Sequence, residues 1–122
     1  MRSSAAQWRA CRFKGNDAVK LYRPDDFTGQ KAWDALDIER FDAATVRLHW
    51  TDKSYIWHVN DGPEVFILLS GSVRMHYRDA NGVEDFFDMV PGDAVHCREG
   101  DNHKAEPLVP SRIMVIESPG SI

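Results

Sequence analysis

The chain has 122 residues, 43% hydrophobic and 28% charged, with a formal net charge of −4. That length predicts one domain able to bury a core without disulfides or a structural metal, and the mildly acidic balance gives no support to a nucleic-acid role. No run approaches a membrane span and no apolar signal-peptide core is present. Two cysteines, Cys11 and Cys97, lie far apart in no CxxC pattern, which predicts reduced thiols in a cytoplasmic protein, with no zinc cluster or disulfide framework.

In chain order, residues 1–14 are locally basic (Arg2, Arg9, Arg12, Lys14) and read as an exposed arm. Ala18 to Tyr22 is a short strand, ended by the breaker Arg23-Pro24-Asp25-Asp26, and Thr28 to Ala35 reads as one or two helical turns. Thr45 to Trp50 alternates, with Val46, Leu48 and Trp50 on one face and Arg47 and His49 on the other. Tyr55 to Asn60 follows a polar turn, and Val65 to Leu69 is the continuous apolar run of a strand buried on both faces. Val73 to Arg78 and Val83 to Val90 flank Asn81-Gly82, a hairpin pair. Ala94 to Arg98 and Arg112 to Glu117 complete the set, set off by turns at Pro91-Gly92-Asp93 and Glu99 to Asn102. Regular short strands with turn residues between them predict an all-β sandwich or barrel with little helix. Residues 1–44 read as an N-terminal arm of short strands or helix packing on a barrel of residues 45–122, one structural domain in all.

One stretch carries chemistry. His58 and Asn60 stand two apart, so in an extended strand both side chains aim at one face. Asp61-Gly62-Pro63 turns the chain, and Glu64 opens the next strand and returns to the same point. A nitrogen donor and a carboxylate converging inside a sheet form a metal-site pattern. Other arrangements fare worse: Ser70-Gly71-Ser72 is not a nucleophile elbow, and no phosphate-binding glycine loop appears. His49, His76 and His96 read as surface or core histidines, with His49 able to line a cavity. Trp8, Trp33, Trp50 and Trp57 read as packing. Trp57 alternates with His58 and faces away from the site, whereas Ile56, Phe66 and Leu68 share the site's parity and read as its apolar wall. Arg47, Arg98 and Arg112 are the cations able to clamp an anion, though solvated surface arginine is the default for each.

The spacing His58-x-Asn60-x3-Glu64-x6-Gly71 resembles the first motif of the cupin superfamily, G-x5-H-x-H-x3,4-E-x6-G, with Asp52 at the leading glycine and Asn60 at the second histidine. Gly92-x5-Arg98-x-Gly100-x2-His103-x3-Pro107 resembles the second, G-x5-P-x-G-x2-H-x3-N, with Arg98 for proline and Pro107 for asparagine. The resemblance covers roughly residues 45–117 and is nearest to small stand-alone cupins carrying Trp-His before the acidic turn and Glu-x-Phe after it, here Trp57-His58 and Glu64-Val65-Phe66. It implies a double-sheet jelly-roll (double-stranded β-helix) barrel, commonly a homodimer. It also implies a divalent metal (zinc, nickel, iron or manganese) at His58, Glu64 and His103, with Asn60 in the fourth ligand position.

Asparagine is a neutral, weaker donor. It can bind through its carbonyl oxygen, orient a metal-bound water, or contact a ligand and leave the metal out. Two functions follow from the resemblance. One is a metal-dependent enzyme of the cupin type, such as an isomerase or dioxygenase, acting on a small organic molecule. The other is a metal-free module that binds a small molecule without catalysis. Without a metal, buried Glu64 needs another partner, and cationic His58 or His103 is the expected one.

Overall fold

The structure, a computed structural model, describes residues 13–15 and 19–121. The basic stretch 1–12, with Cys11, lies outside the described residues. A small ribbon pairs β1 (Phe13–Gly15) with β2 (Lys20–Tyr22), and a 3-10 turn follows at Pro24–Asp26. Nine further strands run in order: β3 (Asp34–Arg40), β4 (Thr45–Thr51), β5 (His58–Val59), β6 (Glu64–Ser70), β7 (Val73–Arg78), β8 (Glu84–Met89), β9 (Ala94–Cys97), β10 (Asn102–Pro107) and β11 (Ser111–Glu117). They form a four-stranded sheet, β5-β10-β7-β8, and a five-stranded sheet, β3-β4-β11-β6-β9, antiparallel throughout. The chain crosses from one sheet to the other at each connection from β5 to β11 except the β7–β8 hairpin, which gives the expected all-β jelly-roll architecture. No described helix is long and apolar enough to cross a membrane.

Alternation decides what each strand buries. Phe66, Leu68, Ile113 and Val115 of the five-stranded sheet meet Val73, Met75, Met89 and Ala105 of the other in one core between the sheets. The apolar run Val65 to Leu69 has a second face because the outside of the five-stranded sheet is also covered. There Phe27, Leu36 and Leu48 form a second cluster with Tyr22, Trp50, Leu69 and Met114. Arg112 ties down this cover, its Nε donating to the Phe27 carbonyl at 2.9 Å. The outside of the four-stranded sheet is instead charged: Arg74 pairs with Asp88, Arg78 with Glu84 and His76 with Glu106. Trp57 lies on this outer face under the Arg78 guanidinium, 4.0 Å from the ring centroid, as its parity predicts.

Three elements differ from the sequence expectation. The helical turns expected over Thr28 to Ala35 are absent. Buried Asp34 instead accepts hydrogen bonds from the backbone N–H groups of Gln30 and Ala35, each at 3.1 Å, which closes a turn and starts β3. That strand pairs with β4 along its length, so Asp34–Arg40 forms an edge of the five-stranded sheet. A register shift between Asp37 and Glu39 breaks its alternation, which hides the strand from a period-two reading. The strand expected over Tyr55 to Asn60 shrinks to His58–Val59, and Ile56 is 67% exposed, so it is no cavity wall. Finally, Asn102–Pro107 is a strand although its sequence is polar, because it is central, between β5 and β7. His103 and Ala105 point inward there while Lys104 and Glu106 face outward.

Gly71 makes the β6–β7 crossing possible. Its φ is +97°, and a Cβ would strike Ser111 Oγ and lie 2.8 Å from the Pro110 carbonyl oxygen. Gly82, in the hairpin, has φ +78° but open space around it. Gly71→Ala is therefore expected to destabilise the fold by about 2–3 kcal/mol and Gly82→Ala by about 1 kcal/mol. Denaturant unfolding with unchanged m-values is the check, and equal losses would refute the steric argument.

Candidate metal centre

The register of two strand pairs builds the site. β5 and β10 place His58 opposite His103, with ring centroids 4.3 Å apart. β6 opens on Glu64, and the chain between them is pinned by two backbone bonds, Asn60 N–H to the Asp101 carbonyl and Gly100 N–H to the Asn60 carbonyl, both 2.8 Å. Asn60, Glu64 and His103 are buried; His58 is half-buried. One ligand atom from each of His58, Glu64 and His103 lies within 4.8 Å of the others. His103 Nε2 is 3.2 Å from Glu64 Oε1, close to the roughly 3 Å edge between two ligands each about 2.1 Å from one metal. Two imidazoles, a carboxylate and an amide oxygen suit a first-row divalent ion.

The surroundings treat the two histidines differently. The Ile56 carbonyl lies 3.4 Å from His58 Nδ1, the kind of carbonyl partner that fixes a ligating ring and frees its Nε2. His103 Nδ1 is buried with no hydrogen-bond partner among the described residues. Burial lowers the pKa of both rings, that of His58 further through its neighbour His103. The neutral imidazoles suit metal ligation and leave Glu64 without the cationic partner expected from sequence. Asn60 lies between the ligands: its Oδ1 is 2.6 Å from His103 Nε2, and its Nδ2 donates to Glu64 Oε1 at 3.4 Å.

Glu64 also has a partner that the motifs do not contain. Glu117, the last residue of β11, stands directly across from it, is itself buried, and shares a hydrogen bond with it. Burial pushes Glu64 up from the ordinary carboxylate value and carries Glu117 to about 8, the hydrogen bond to Glu64 adding to the rise. The pair holds a proton at neutral pH, as two carboxyl groups in contact must. The parity of β11 contains the clue, since Ile113 and Val115 face the core and Glu117 follows them on the same face.

Beside these groups a cavity of about 200 Å³ is walled by Trp33, Tyr55, Phe66, Ala105 and Val115, with Arg47, His49 and Glu117 as further polar groups. His49 lines the cavity but is not one of the clustered ligands. Its Nδ1 is 3.2 Å from the Trp33 carbonyl, and burial lowers its pKa to about 4, so it is neutral with Nε2 as an acceptor. Arg47 is engaged by Asp37 at 2.7 Å. The remaining residues weighed from sequence lie elsewhere. His76 pairs with Glu106 at 2.8 Å on the outer face, His96 is exposed, and Arg98 pairs with Asp101 at the surface. Cys97 is buried opposite Glu64, and burial pushes its thiol up to about 12, which removes it as a nucleophile.

No family model matches the chain, and no curated protein matches it. Solved structures do. A cupin-2 domain protein of Shewanella frigidimarina matches at TM-score 0.64 and 23% identity, over 74% of this chain and 84% of that one. A cupin superfamily protein of Desulfitobacterium hafniense matches at TM-score 0.66 and 15% identity, over 88% and 97%. Oxalate decarboxylase of Bacillus subtilis matches at TM-score 0.59 and 18% identity, over 66% of this chain but only 22% of that one. The chain has the fold of a small cupin domain.

Glu117 sets a pH dependence whose sign follows from its raised pKa. Between the ordinary carboxylate range and about pH 8 the folded protein holds a proton that the unfolded chain has released, so this contribution to stability is complete at acid pH and is lost as pH rises through 8. In excess chelator, Glu117→Gln should flatten the fall in melting temperature between pH 6 and pH 9. Parallel profiles for the two proteins would contradict the shared proton.

Proposed function

We propose that this cupin-fold domain holds a divalent metal ion at His58, Glu64 and His103, with Asn60 as a weak fourth ligand, and binds a small organic molecule in the adjoining cavity. The observation that supports it most is the approach of the three ligand atoms to within 4.8 Å of one another. The Bacillus subtilis oxalate decarboxylase among the matched structures has Mn(II) centres, which supports a divalent ion on this fold. The ion would supply Lewis acidity to an oxygen of the bound molecule. The chain's own groups would do the rest. Trp33, Tyr55, Phe66 and Val115 give the cavity an apolar wall, neutral His49 offers an acceptor, and Glu117 holds a proton beside Glu64. An isomerase or dioxygenase of the cupin type is the enzymatic form of this reading.

A second reading has its own observation. The Asn60 amide already bridges His103 and Glu64, and Glu117 takes up the remaining demand of Glu64. A metal-free, ligand-binding module is satisfied by that network without an ion. Elemental analysis of protein purified without chelator separates the two. The metal reading expects close to one ion per chain, reduced at least tenfold in His58→Ala, Glu64→Ala and His103→Ala. Because ligands bind deprotonated, affinity should rise with pH. Asn60→His, which replaces the weak donor by imidazole, should tighten binding by about tenfold or more, roughly 1.4 kcal/mol. Wild-type metal content no higher than that of the three alanine variants rejects the metal centre and leaves the module.

A further inference from the structure

The segment that follows β11 returns to the site. Ser118-Pro119-Gly120-Ser121 has the residues of a type II turn, proline second and glycine third. Its geometry agrees: the Ser121 N–H donates to the Ser118 carbonyl at 3.1 Å, and Gly120 has φ +82°, a conformation glycine adopts without penalty. The turn brings Ser121 into the lining of the 200 Å³ cavity, together with His58, Glu64 and His103.

A second cavity, of about 530 Å³, is also lined by this turn, through Gly120 and Ser121. Arg40 and Thr45, partners at the end of the β3–β4 pair, border it as well. Arg47, Glu117 and Ser121 line both spaces, so these three residues form the partition between them. Two of the three are fixed. Arg47 lies within β4 with its Nε on Asp37 at 2.7 Å, and Glu117 is paired to Glu64 across β6 and β11. Ser121 is held far more lightly. Its Oγ donates to Asp61 Oδ1 at 2.8 Å in an exposed hydrogen bond. Ser118 packs on Gly62, where a Cβ would lie 3.0 Å from the Ser118 hydroxyl. No residue of 118–121 belongs to either apolar cluster. A segment with so little apolar burial and one exposed side-chain bond opens at small cost.

We propose that residues 118–121 are a gate between the two cavities, latched by the Ser121–Asp61 hydrogen bond. With the latch made, the inner cavity holds only a small molecule beside His58, Glu64 and His103. At about 200 Å³ its room is six or seven waters' worth, at roughly 30 Å³ each. With the latch broken, the turn swings on Gly120 and the two spaces join, so that a ligand enters from the outer one. Asp61 follows Asn60 directly, which anchors the latch on the same turn that carries the site. The inference rests on the inner cavity as the ligand site, which the metal-bound and metal-free readings share, and not on the ion.

The test measures entry of a small neutral reagent, iodoacetamide, into the inner cavity of the full chain in excess chelator, so that the fate of the metal reading does not affect it. The reporter is Val115→Cys, a near-isosteric change in the cavity wall, made with Cys11→Ser. Cys97 is kept as an internal control, and the two labelled peptides are told apart by mass. Ser121→Ala and Asp61→Ala should each speed labelling at position 115 by roughly three- to tenfold, the size of one lost hydrogen bond. The double variant should be no faster than either single one, because both remove the same contact. Ser121→Thr, which keeps the hydroxyl, should label at the parent rate. The Cys97 rate should stay constant throughout. Unchanged labelling at position 115 in both single variants overturns the gate. So does a rise that Cys97 shares, which would mean general loosening of the sheets. Should Val115→Cys not fold, Ala105→Cys on the opposite sheet takes its place under the same criteria. Absence of bound zinc from protein purified without chelator would sink the metal reading and leave these rates, and the gate, as they stand.

Discussion

The site depends on two backbone hydrogen bonds at Asn60. Its N–H reaches the Asp101 carbonyl and its carbonyl receives the Gly100 N–H, both at 2.8 Å, so the loop that ends β5 and the turn that precedes β10 are tied as one unit. The turn relies on Gly100, whose φ is +89°, a conformation glycine adopts without penalty. Because His58 lies two residues before this tie and His103 two residues after it, the pairing of His58 with His103 follows. β5 has only two residues and could not fix that register by its own ladder.

Burial then dictates the chemistry. The core between the sheets is apolar up to Phe66, whose ring meets His103 edge-on at 5.6 Å, and beyond it the inward positions become His103, Glu64 and Glu117. Charged forms are disfavoured in such a place, so the histidines are driven toward neutrality and the carboxyl groups toward sharing a proton. Both changes make the cluster internally consistent without a formal cation. The same changes produce neutral imidazoles beside a carboxylate, the donor set a borderline metal accepts. The amide of Asn60 fits either state, as a hydrogen-bonding bridge or as an oxygen donor, and imidazole in its place would be far less able to serve as both.

What the sequence made legible, and what it did not, follows from how far each feature reaches along the chain. The hairpin at Asn81-Gly82, the apolar run Val65 to Leu69 and the outward aim of Trp57 are local, set by turn chemistry and alternation. The approach of His58 to Glu64 is nearly local, across one turn. His103 came into view only through the spacing of the second motif, since nothing in its own polar strand announces a central position in a sheet. β3 escaped notice because its bulge interrupts the alternation. Glu117 escaped because its contribution depends on register across the sheet, which composition does not encode.

Cys97 has a consequence of a different kind. It faces Glu64 from β9, the outermost strand of the five-stranded sheet, with a buried thiol whose pKa stands near 12. At neutral pH the reactive thiolate is then only about one part in 10⁵ of the total. Alkylation at this sulfur proceeds at an appreciable rate only when β9 peels away from β6, so the labelling rate of Cys97 is a clock for local opening of the sheet edge behind Glu64. Whatever binds at Glu64 and braces that edge would slow the clock, which makes a buried, chemically silent cysteine a built-in reporter of occupancy at the neighbouring strand.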